Sequence, residues 1–125
     1  MARVLALSSD LLFGSRLQGA LTLAGHEVEL LGDPGRLADR LGASADPPRA
    51  PAAVLVVDLT DGELDGVGAL ESLRRGGELG AARTLGFYSH VDAAMRQRAE
   101  QAGFDVVVAR SRMAREGAEL VARLL

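Results

Sequence analysis

Short apolar runs of β type recur along the chain, each separated from the next by a segment of helical period. The runs are Arg3–Leu7 (RVLAL), Glu27–Leu31 (EVELL), Ala53–Val57 (AVLVV), Thr84–Tyr88 (TLGFY) and Asp105–Ala109 (DVVVA). Three are nearly continuous apolar stretches, the pattern of strands covered on both faces. Leu17, Ala20, Leu21 and Ala24 mark the first helical stripe, which Gly25 ends. Asp33-Pro34 supplies an N-cap and an N1 proline ahead of Leu37, Ala38 and Leu41, with Gly42 as the stop. Val67, Leu70 and Leu73 mark a third helix. Asp92 caps a fourth, with Met95, Ala99 and Ala102 facing inward and Gly103 at its end. Ser111 is expected to cap a fifth, with Met113, Gly117, Val121 and Leu124 on its core face and Leu120 and Leu125 off it.

This (βα)5 order with short connections predicts parallel strands joined by right-handed crossovers. Five units are too few for a closed eightfold barrel. The expected fold class is therefore α/β, an open, doubly wound five-stranded parallel sheet in the order 2-1-3-4-5. One domain is expected over residues 1–125. The segment Ala43–Ala52 (ASADPPRAPA) holds three of the four prolines and has no period, so it is expected to be an exposed loop.

Composition narrows the chemistry. The chain has no cysteine, which excludes disulfides, thiolate metal sites and cysteine nucleophiles. Its 14 Lys+Arg residues are all arginine, which excludes Schiff-base and P-loop lysines. A net charge of -3 argues against direct nucleic-acid binding. No apolar run approaches the roughly 20 residues that span a bilayer. The apolar run after Arg3 is too short for a signal peptide. A cytoplasmic protein that binds no membrane is expected.

In open α/β sheets, ligands sit outside the carboxyl ends of the strands, where the strand order reverses. Those ends carry Ser8, Ser9 and Asp10 after the first run, and Asp58, Thr60 and Asp61 after the third. They carry Tyr88, Ser89 and His90 after the fourth, and Arg110 and Ser111 after the fifth. Asp58 ends the AVLVV run at the edge of a dry core, so it needs a partner or an exit to water. It equally suits a strand-end aspartate that caps the loop LTDGELDG. His26 and His90 have no companion ligands at metal-site spacing.

Taken together, VLALSSDLLFGSRLQGALTLAGHEV, VLVVDLTDGELDG, FYSHVD and AGFDVVVARS resemble the receiver domains of two-component response regulators, the CheY-like branch of the flavodoxin-like fold. The resemblance covers essentially the whole chain. It implies that Asp58 lies at the phosphoacceptor position, followed at +7 and +8 by Asp65-Gly66. The family's magnesium-binding acidic pair falls on Ser8 and Ser9, with Asp10 just beyond it. The switch Ser/Thr falls on Tyr88, with Ser89 next. The family's lysine falls on Arg110, and the proline after it on Ser111.

The nucleophile position is thus kept while most of its chemical support is replaced. Phosphoryl transfer is positioning plus charge neutralisation. Magnesium wants octahedral oxygen ligands, commonly including one or two carboxylates. Two neutral serine hydroxyls cannot stand in for two negative charges. Asp58, Asp61 and Asp10 are the carboxylates on hand, and no metal is expected to bind them. Arg110 is expected to bridge to Asp58, directly or through a water, and supply the missing positive charge.

The resemblance therefore implies a pseudo-receiver: a non-catalytic signalling and protein-interaction module. It is expected to use no cofactor, and to meet a protein partner or its own copy through the fourth and fifth helices and the last strand. The alternative is a working phospho-aspartyl receiver of a two-component phosphorelay, self-phosphorylated on Asp58 with Mg2+. A small-molecule pocket at the same strand ends is a third reading.

Overall fold

The computed structural model describes residues 2–125. The chain runs β1 (Arg3–Leu7), α1 (Leu11–Leu23), β2 (Glu27–Leu31), a 3-10 turn (Pro34–Arg36), α2 (Leu37–Leu41), β3 (Ser44–Ala45), β4 (Pro48–Arg49) and β5 (Val54–Asp58). It continues with α3 (Gly66–Arg75), β6 (Arg83–Tyr88), α4 (Ala93–Ala102), β7 (Val106–Ala109) and α5 (Arg110–Leu124). Five strands form one parallel sheet in the order β2-β1-β5-β6-β7. Counting only these strands, the order is 2-1-3-4-5, as expected.

Every residue of β1 and β5 is buried, because the two strands lie in the middle of the sheet. Their side chains alternate between two cores. Leu5, Leu7, Leu55 and Val57 face the layer of α2, α3 and α4. Val4, Ala6, Val54 and Val56 face α1 and α5. This division explains the unbroken apolar runs: neither face of a central strand meets water. Gly66 opens α3 where that helix comes closest to the sheet. A Cβ there would lie 2.5 Å from Val57 Cγ1 and 2.8 Å from Leu59 Cδ2, so only glycine admits the approach. No helix among the described residues is long and apolar enough to cross a membrane.

The end of the sheet away from the strand carboxyl termini is tied by polar side chains. Arg3 is only 7% exposed, and its guanidinium donates to Glu29 Oε1 at 3.2 Å, Ala50 O at 3.1 Å and Arg40 O at 2.5 Å. Arg40 donates in turn to Glu29 at 2.8 Å. Asp105 accepts from the Thr84 amide at 2.8 Å and the Thr84 hydroxyl at 3.1 Å, joining the starts of β6 and β7.

Four local expectations change. Ala43–Ala52 is not a plain loop. It contains the antiparallel β3–β4 pair, and Arg49 anchors it to the Gly42 and Asp39 carbonyls at 3.0 and 2.5 Å. Ser111 does not cap α5. The helix follows β7 without a loop, its N-cap is Ala109, and no side chain caps it. Leu120 belongs to the core at 2% exposure, because Gly117, Leu120, Val121 and Leu124 occupy the i, i+3, i+4 and i+7 positions of one broad stripe. Ala20 and Ala24 are exposed; α1 buries Gly14, Leu17 and Leu21 instead.

Candidate functional site

Ser8 follows β1 and Asp58 ends β5, and these strands are neighbours paired in register, Leu7 with Val57. The next residues are thereby placed side by side. Asp58 is 1% exposed, and a carboxylate so placed must have its oxygens satisfied. Ser8, itself 3% exposed, donates its hydroxyl to Asp58 Oδ2 at 2.7 Å. Thr60 donates to Asp58 Oδ1 twice, from its amide at 2.8 Å and its hydroxyl at 2.6 Å. No side-chain polar atom is left buried without a partner among the described residues.

The other strand-end residues divide into separate local groups. The Ser9 hydroxyl donates to Asp61 Oδ2, and the Glu63 amide donates to Asp61 Oδ1 at 2.9 Å. The Ser9 bond, then the Glu63 amide, hold the Asp61 carboxyl below the usual carboxylate range. Asp10 caps α1 by accepting from the Phe13 amide at 3.0 Å. Its own amide donates to Ser8 Oγ at 3.1 Å.

Arg110 does not reach Asp58. Its Nη2 donates to Asp10 Oδ2 at 2.7 Å, and its guanidinium carbon lies 4.5 Å from the centre of the Phe13 ring. Phe13 in turn packs on Phe87 with ring centres 4.9 Å apart. The expected direct Asp58–Arg110 bridge is therefore absent. Ser8 and Thr60 already satisfy Asp58, whereas Asp10 and the Phe13 ring offer the guanidinium a carboxylate and a π face. Ser89 lines an open cleft with Thr60, His90 and Arg110, while Tyr88 packs partly buried against the core beneath α2, α3 and α4. Ser8 is thus brought to Asp58, and Asp10 to Arg110, but Tyr88 joins neither group.

These donors do not fit Mg2+. The ion prefers near-octahedral oxygen ligands supplied by one or two carboxylates and waters. Both oxygens of Asp58 already accept hydrogen bonds from the chain, and Asp61 and Asp10 are each engaged in their own turn or cap. No group of three metal-ligating side chains forms among the described residues.

No family model matches the chain, and no curated protein matches its sequence. Solved structures do match its backbone. The receiver domain of the Francisella response regulator 1452 superposes with a TM-score of 0.80 at 15% identity, covering 99% of this chain and 96% of that one. The chain has the receiver fold. The chemotaxis response regulator CheY4 of Vibrio cholerae gives a TM-score of 0.78 at 18% identity, with 100% and 99% of the two chains covered. The signal receiver domain of NarL from Mycobacterium tuberculosis gives 0.74 at 21%, with 98% and 94% covered.

On the receiver fold, Asp58 stands at the carboxyl end of the middle strand, at the edge where the strand order reverses. Thr60 is the partner that sequence reasoning left without a role. The signal was present as a threonine two residues after an aspartate, the spacing of an Asx-type turn in which the side chain accepts from the amide two positions on.

Proposed function

We propose that this chain is a pseudo-receiver, a signalling module that acts through protein contact and not through phosphoryl transfer to Asp58. One observation carries the reading: Asp58 is held on both oxygens by Ser8 and Thr60, with serines in place of an acidic pair. Attack on a phosphoryl donor needs a free carboxylate oxygen and a cation to offset developing charge. Ser8 and Thr60 donate to both oxygens, and Arg110, at the position of the family's lysine, pairs with Asp10. The Asp58 cluster serves here as a polar joint between β1 and β5.

The contact surface is the face of α4, β7 and α5. β7 is an edge strand, so one side of its backbone is free to pair. Arg96, Arg98 and Arg112 flank this face, in ion pairs with Glu100, Asp65 and Glu116. The partner is a second copy or another protein, and sedimentation over a concentration series distinguishes the two.

Incubation with acetyl phosphate and Mg2+, followed by intact-mass measurement, tests the absence of transfer. No added phosphoryl group is expected. A mass gain of one phosphoryl group, abolished in Asp58→Asn, would overturn the reading in favour of a working phospho-aspartyl receiver.

A further inference from the structure

Two cavities meet on the side of the sheet covered by α1 and α5. The upper one, of about 660 Å³, opens at the strand carboxyl ends. Arg16, Arg110 and His90 line it together with the hydroxyl residues Thr60, Ser89 and Ser111, and no carboxylate does. Arg16 has no ion-pair partner among the described residues, and Arg110 uses only one nitrogen on Asp10. The lower cavity, of about 280 Å³, is a groove between the two helices. Its floor is Leu17, Met113 and Gly117, and its walls are kept low by Ala20 and Ala118. Phe13, Arg16 and Ala114 line both cavities, so the groove runs directly into the cationic mouth.

Two local features mark the floor of the groove. The regular helical geometry of α5 breaks at Glu116, beside the groove. Gly117 lies against α1 so closely that a Cβ would sit 3.1 Å from Leu17 Cδ1. Glycine is a poorer helix former than alanine. An alanine would fill the floor of the groove.

We propose that this composite cavity binds a small amphipathic anion, with its anionic head between Arg16 and Arg110 and its apolar body along the α1–α5 groove. The chemistry of the walls selects the class. An inorganic anion would leave the apolar floor wet, and a neutral apolar molecule would leave Arg16 and the remaining nitrogens of Arg110 without an anionic partner. The volume falls within the range of small-molecule sites. The site does not include Asp58, so it stands whether or not Asp58 accepts a phosphoryl group.

Octanoate is the probe, with octanol and inorganic phosphate as the apolar-only and anion-only controls. Titration calorimetry on the full chain should give an octanoate Kd of about 0.1 mM, with each control at least about tenfold weaker. Amide shift mapping should place the changes on α1 and α5. Arg16→Ala should weaken octanoate about tenfold, and so should Ala114→Phe, which blocks the junction from an exposed helical position. Asp58→Asn should leave binding unchanged. Octanoate binding no tighter than octanol or phosphate, or binding indifferent to both Arg16→Ala and Ala114→Phe, would overturn the proposal.

Discussion

Ser8→Ala tests whether the buried joint at Asp58 is built as described. The change removes the hydroxyl that donates to Asp58 Oδ2 at 2.7 Å and accepts from the Asp10 amide at 3.1 Å. Hydrogen bonds to charged groups contribute about 1.5–3 kcal/mol, and a deleted partner exposes the full desolvation cost of the group left behind. Asp58 is 1% exposed, so water cannot replace the lost donor without a local rearrangement. Thr60 still holds the other oxygen through two bonds, which limits the loss. The expected destabilisation is about 2 kcal/mol. With an m-value of about 1.5 kcal/mol/M, the urea midpoint falls by roughly 1.3 M at constant m. In an Asp58→Ala background the same serine change should cost less than about 1 kcal/mol, since no carboxylate remains to be stranded. A destabilisation below about 0.5 kcal/mol in the wild-type background would refute the assignment, because that is the range of an ordinary surface substitution.

Arg110→Met should couple to Asp10→Asn by about 0.5–1 kcal/mol, the size of an exposed ion pair, and should not couple to Asp58→Asn. A double-mutant cycle showing the reverse would restore the Asp58–Arg110 bridge. Burial pushes the Glu29 carboxyl up, but hydrogen bonds and charge from Arg40 and then Arg3 outweigh it and leave the group below its ordinary value of 4.5. A depressed folded-state value stabilises the protein above the unfolded pKa, and the contribution fades as pH falls through the folded one. Glu29→Gln should therefore flatten the acid limb of the stability curve, measured by urea unfolding between about pH 3 and 6. An unchanged acid limb would show that the Arg3–Glu29–Arg40 cluster does not act in this way.

The sheet and its helices were legible because each is written in a repeating pattern. β1 and β5 are continuous apolar runs since both faces are covered, and Asp92 and Gly103 bracket α4 as cap and stop. Part of what escaped had no period to read. The β3–β4 pair has two residues per strand, too short to show alternation, and it is held by Arg49 reaching to main-chain carbonyls. The burial of Leu120 was missed because the core stripe of α5 is wider than one residue per turn. At the site, the position of Asp58 was readable, but the partner of Arg110 was not. The choice between Asp58 and Asp10 depends on which carboxylate already has donors, and that is settled by Thr60 and by the start of α1.

Arg3 has a consequence for how the molecule breathes. A connection as long as that between α2 and β5 would ordinarily fluctuate and open the edge of the sheet beside it. The Arg3 guanidinium grips that connection at Ala50 and the end of α2 at Arg40, while Arg49 fastens the interior of the connection to Asp39 and Gly42. Most of its backbone entropy is surrendered on folding, so the segment behaves as part of the scaffold. At the opposite rim only the loops outside the Ser8–Asp58–Thr60 joint are left to open, and there Leu11, Leu12 and Val91 stand exposed. Amide exchange should then be polarised along the strands, slow where Arg3 clamps the base and fast at the mouth.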